Sequence, residues 1–143
     1  MSAPYHDAGE LARGTPTGDP ERIRAAAYSK RFVVLWGSPL IMAYLGEHGD
    51  YILVDHHYCS CEGFTRRITR EGLGGCTHVF ASRIALEEGR VRDLSPSMNP
   101  GLLARIVWEA LTGGVAFTLR RLLALAEDVG DHDYGGEGGG DKD

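Results

Sequence analysis

The residues in this chain with the clearest capacity for chemistry are Cys59-Ser60-Cys61, followed after fourteen residues by Cys76-Thr77-His78. They include all three cysteines of the protein. Each pair of ligand-forming residues has one residue between its members, and together they offer three thiolates and an imidazole across an intervening loop. That soft-to-borderline set suits tetrahedral Zn2+, and four protein ligands with no open position describe a structural site. Because the ligands must be deprotonated and gathered, metal binding there is coupled to folding. A disulfide fits poorly, since cysteines one residue apart rarely bridge each other and the third would be left over. Three unrelated buried thiols are the plainer alternative, but scattered cysteines would not fall in two tight groups beside one histidine.

The order Cys-x-Cys…Cys-x-His, with Tyr58 before the first cysteine, Phe64 three residues after the second, and Val79-Phe80-Ala81 after the histidine, resembles the SWIM zinc finger. The long insert between the pairs and the Cys-Ser-Cys-x-x-Phe opening look most like the SWIM proteins of Shu-type recombination complexes and their archaeal relatives. The resemblance is specific over residues 51–88. It implies that Cys59, Cys61, Cys76 and His78 are the Zn2+ ligands, that a short antiparallel sheet leads into the first two, and that a helix starts at the last two. It also implies an accessory role in DNA recombination and repair, with DNA and a RecA/RadA-family recombinase paralog as partners. Many members carry Lys before the final histidine; here it is Thr77, which weakens the case for a phosphate contact from that position.

The elements that must position these ligands can be read from pattern. Residues 1–16 lack periodicity and hold two prolines and two glycines, as expected of a mobile arm. Asp19-Pro20 is a helix start, and the helix should run to about Ser29 with Ile23, Ala26 and Ala27 inward and Arg22, Arg24, Lys30 and Arg31 making its surroundings basic. Residues 32–36, 40–45 and 51–54, rich in β-branched and aromatic side chains and broken by glycine-containing turns, predict a three-stranded antiparallel meander that delivers the chain to Cys59. His56 and His57, ahead of a complete ligand set, read as surface residues rather than extra ligands. The insert 62–75 reads as a loop carrying Arg66, Arg67 and Arg70, with Gly72, Gly74 and Gly75 allowing the tight return to Cys76. A helix from Thr77 to about Glu88 follows, ended by Gly89, and two more run from 101 to 112 and from 115 to about 129. The expected fold is α+β: a three-stranded antiparallel sheet with a zinc-anchored helix over residues 17–94, a C-terminal helical hairpin over 95–130, and a disordered acidic, glycine-rich tail from 131 to 143.

With 143 residues, no long apolar run and reduced cysteines, the chain is expected to be soluble, cytoplasmic and not membrane-bound. Its net charge of −5 misleads, because from Glu127 to Asp143 there are seven acids against Lys142, leaving the remainder near neutrality. No P-loop or dinucleotide-binding glycine pattern appears and the cysteines are committed to metal, so no catalysis is expected. Arg66, Arg67 and Arg70, with Lys30 and Arg31, are the candidates for nucleic-acid contact. The two C-terminal helices carry apolar residues on more than one side, so Trp108, Phe117 and Leu125, off the main stripes, are candidates for contact with a partner chain, whether a recombinase paralog or a second copy in a homodimer. An adaptor that holds structural zinc and never touches nucleic acid is the alternative.

Overall fold

A computed structural model describes residues 20–71 and 76–138. The expected N-terminal arm, the Asp19 cap and the glycine turn at 72–75 lie outside the described residues. Helix α1 (Pro20–Ala27) buries Ile23, Ala26 and Ala27, the stripe its spacing predicts. Strands β1 (Phe32–Gly37), β2 (Leu40–Leu45) and β3 (Asp50–Val54) form the antiparallel meander, with a register shift between Val34 and Trp36.

The sheet nevertheless has five strands, in the order β4-β3-β2-β1-β5, and it is mixed. Strand β4 (Tyr58–Cys59) pairs antiparallel with β3, and β5 (Arg92–Asp93) pairs parallel with β1. Each added strand is two residues long. The two residues of β5 are charged and exposed, so alternation gives no sign of it. Tertiary pairing fixes β5 instead, including a hydrogen bond from the Leu94 amide to the Val34 carbonyl at 2.9 Å.

Helix α2 (Glu62–Glu71) occupies most of the insert expected to be a loop, and is followed by α3 (Thr77–Glu87), a 3-10 turn at Ser95–Ser97, α4 (Pro100–Gly113) and α5 (Phe117–Gly138). The start of α5 is anchored by Glu109, whose carboxylate accepts from the Thr118 amide at 2.8 Å and hydroxyl at 2.7 Å. The helical backbone passes Gly130, where the sequence pattern predicts its end, and takes in the first part of the expected tail.

The meander is buried on both faces, which explains why β1 is an unbroken apolar run rather than an alternating one. Phe32, Val34, Met42 and Leu53 turn toward α1 and α3, where the thiols also lie. Val33, Leu35, Ala43 and Ile52 turn the other way, onto Ile106 and Ala110 of α4 and Leu119 and Leu123 of α5. The C-terminal helices thus close the back of the sheet as its third layer.

Helix ends and one ion pair to a buried carboxylate hold these layers in place. Asn99 caps α4 by accepting from the Leu102 amide at 2.9 Å, with Pro100 at the first helical position. Helix α3 ends in a Schellman motif: the Arg90 amide reaches the Ala85 carbonyl at 2.8 Å, the Gly89 amide reaches Leu86 at 3.2 Å, and Gly89 takes φ of 69°. At the head of β3 the buried Asp50 carboxylate receives Nε and Nη2 of Arg120 at 2.9 and 2.6 Å and the Ala116 amide at 2.8 Å. This bidentate pair fastens α5 to the strand that leads to the ligands.

Candidate metal centre

Each candidate ligand is delivered by a different local device. Cys59 ends β4, opposite Leu53. Ser60 then continues the pairing with its own side chain: its amide donates to the Ile52 carbonyl at 3.0 Å, and its Oγ accepts from the Ile52 amide at 2.9 Å. Extended residues two apart share a face, so binding Ser60 to β3 leaves Cys59 and Cys61 on the same side. Cys61 immediately precedes α2, and its sulfur accepts from the Phe64 amide at 3.4 Å, as an N-cap oxygen would. Cys76 is the N-cap residue of α3, and His78 stands in that helix's first turn. Two helix N-termini therefore converge on the sulfurs, where the positive ends of their dipoles favour thiolates.

The four ligand atoms lie within 4.8 Å of one another. Nδ1 of His78 is 3.8 Å from Cys59 Sγ and 3.9 Å from Cys76 Sγ. Tetrahedral bonds of about 2.3 Å to sulfur and about 2.0 Å to nitrogen place a sulfur and a nitrogen about 3.5 Å apart. The two sulfur–nitrogen distances are a few tenths of an ångström longer than that, and three thiols with one imidazole are a donor set that suits the ion. All three cysteines are buried and free of disulfides.

As free thiols the three sulfurs cannot all ionise. Hydrogen bonding to Cys59, then to Cys76, holds the Cys61 thiol far below the ordinary range against its burial. Cys59 is pushed far up by bonding to Cys61 and Cys76, with burial adding to the effect. Bonding to Cys59 favours the Cys76 thiolate, but bonding to Cys61 and burial outweigh it and push that thiol up to about 12. These sulfurs would hold a divalent cation as thiolates, the ion's charge taking the place of the shared protons.

The imidazole is held by aromatic rings that the sequence pattern does not single out. Tyr44 and Tyr51 are cross-strand partners in β2 and β3, and their ring centroids lie 4.6 and 5.0 Å from that of His78. The signal was the turn at Gly46–Gly49, which sets Tyr44 opposite Tyr51. Burial, then the nearby Cys61 and Cys59 sulfurs, raise the Tyr51 phenol above its usual range. On the other side of the centre, Tyr58 meets Phe64 edge-on at 5.4 Å, joining β4 to α2.

His56 and His57 are not in the ligand cluster, but both are half-buried rather than surface residues. Ser82 is buried in α3 and donates its hydroxyl proton to the Val79 carbonyl at 2.8 Å, so it accepts from Nδ1 of His56, also at 2.8 Å. That bond ties the β3–β4 turn, where Asp55 and His56 adopt positive φ, to the helix bearing His78. Burial, then the neighbouring Arg83, lowers the His56 pKa.

The candidate nucleic-acid residues are distributed unevenly. Arg66 lies on α2, exposed and 3.8 Å from the carboxylate of Glu62 one turn earlier. The side chains of Arg67 and Arg70 lie outside the described residues. Arg31 is half-buried and donates to the Leu45 carbonyl at 2.8 Å, with Glu47 3.9 Å away, so it is engaged in closing the end of the sheet. Lys30 is exposed, with φ of 65°. The three candidate partner residues, Trp108, Phe117 and Leu125, are 69%, 70% and 55% exposed, and Leu111, which the sequence reading omitted, joins them at 52%. No described helix is long and apolar enough to cross a membrane.

Comparison of the chain with protein-family models, with curated proteins and with solved structures finds no match.

Proposed function

We propose that this protein is a SWIM-type zinc protein that serves as an accessory in DNA recombination and repair. The metal is structural: four ligands close the site, and its work is to hold β4, α2 and α3 in one arrangement. The observation that carries the reading is the Cys59, Cys61, Cys76 and His78 cluster, built from a strand end and two helix starts in the order and spacing that resemble the SWIM finger. The arginine-bearing helix α2 begins at the ligand Cys61, so its direction is set by the metal centre. In this reading Arg66, Arg67 and Arg70 meet the phosphate backbone, with Lys30 as an outlying contact. Trp108 and Leu111, three residues apart on α4, meet a RecA/RadA-family recombinase paralog.

An adaptor role without nucleic acid is the second reading. It is favoured by the pairing of Arg31 and Arg66 within the chain and by a charge near neutrality outside the acidic C-terminal stretch. The deciding experiment measures binding to single-stranded and branched DNA at low and moderate salt, for the wild type and for a variant with Arg66, Arg67 and Arg70 replaced by Ala. The recombination reading expects weaker binding and a shallower dependence of affinity on salt in the variant, because fewer counterions are released. Undetectable binding by the wild type, or an unchanged slope in the variant, favours the adaptor.

A further inference from the structure

His56 stands three residues before Cys59, in a turn closed by the His57 amide on the Val54 carbonyl at 2.8 Å. Both residues inside the turn, Asp55 and His56, are left-handed, with φ of 52° and 59°. That conformation disfavours a residue with a Cβ, and side chains on either side hold it. Asp55 is tied to β2: its carboxylate accepts from the Leu40 amide and its amide donates to the Leu40 carbonyl, both at 2.8 Å. His56 is tied to α3 through Ser82, which is fully buried and lies one helical turn beyond His78 on the same face. The His56–Ser82 bond therefore crosses between the two halves of the ligand set. Cys59 and Cys61 follow the turn, and Cys76 and His78 begin the helix.

We infer that His56 is a pH-sensitive latch on the metal centre: its neutral ring seats the turn on Ser82 and keeps the ligand pairs facing one another, and acid releases it. The Ser82 proton is committed to the Val79 carbonyl, so the bond uses the single proton of a neutral imidazole, on Nδ1. A second proton would put a positive charge on a half-buried ring. The charged and titratable groups around that ring are Arg83 and Glu87 of α3, paired with each other at 3.2 Å, and Asp55 and His57 of the turn. Burial, then Arg83, outweighs the two carboxylates and disfavours the second proton. Out of its seat the ring takes that proton at the ordinary value of about 6.5, so as pH falls below this the open arrangement gains on the latched one. A latched chain presents its ligands already gathered, which raises its affinity for the ion. The inference rests on the zinc reading of the four ligands and uses neither DNA nor a recombinase.

Competition for zinc between the full chain and a chromogenic chelator, from about pH 8 to about pH 5, tests the latch. The chelator's own titration cancels in the ratio of wild type to variant. His56→Gly removes the ring while suiting the left-handed backbone, and Ser82→Ala keeps the ring and removes its acceptor. At the alkaline end each variant is expected to hold zinc about fivefold more weakly than the wild type, the net worth of one hydrogen bond. The difference is expected to close as pH falls through about 6.5. A wild type that takes up no zinc overturns the inference together with the zinc reading. A zinc-binding wild type overturns the inference alone if either variant equals or exceeds its affinity at the alkaline end, or if the difference persists unchanged to the acid end.

Discussion

Replacing Arg120 by Met isolates the ion pair that joins the helical layer to the sheet. Asp50 is 1% exposed, and its carboxylate has three donors: two from Arg120 and one from the Ala116 amide. Methionine fills most of the volume but removes both guanidinium bonds, leaving a buried charge with one amide. Breaking a buried pair from one side costs about 3–5 kcal/mol, because the remaining ion is uncompensated. Arg120 is itself 44% exposed, so water can enter part of the vacated space, and the lower end of that range, about 3 kcal/mol, is expected. In a chain of this size that corresponds to a fall in melting temperature of about 10 °C. Asp50→Asn should cost less, about 1–2 kcal/mol, since the amide still accepts a hydrogen bond and the half-exposed guanidinium can hydrate. Urea and thermal unfolding with zinc in excess would measure both variants. A loss below about 0.5 kcal/mol in Arg120→Met, or a larger loss in Asp50→Asn, would refute the claim that the carboxylate depends on the guanidinium.

Two smaller perturbations test the devices around the centre. Ser60→Ala removes the acceptor of the Ile52 amide, and unfolding should show a loss of about 1 kcal/mol together with faster transfer of zinc to a chelator. Unchanged transfer would mean that Ser60 does not help orient the two cysteines. Gly89→Ala meets nothing within 4 Å, so only its left-handed backbone is strained, and urea unfolding should register about 1 kcal/mol of destabilisation with zinc content unchanged.

The sequence made the ligand set legible because Cys-x-Cys and Cys-x-His confine four donors to a short stretch. It also showed the meander and the stripes of α1, α3, α4 and α5, where apolar periodicity was strong. What it hid depends on partners distant in the chain. The Arg92–Asp93 strand is two charged residues long and exists through its pairing with β1. Helix α2 has a strongly charged sequence, and its only buried apolar residue among those described is Phe64, whose amide the Cys61 sulfur caps. The grip of Tyr44 and Tyr51 on His78 needs the β2–β3 register, and the seat of His56 on Ser82 joins residues 26 apart. Sequence alone makes Arg31 a candidate for nucleic-acid contact, because nothing in its neighbourhood in sequence announces the Leu45 carbonyl that it closes upon.

The central claim is that Cys59, Cys61, Cys76 and His78 hold a structural zinc ion, and elemental analysis of the purified chain combined with limited proteolysis addresses it most directly. One zinc per wild-type chain is expected. Cys76→Ser, or chelation, should release the ion and bring rapid cleavage between β4 and α3. A wild-type chain that is intact, protease-resistant and free of bound metal would contradict it.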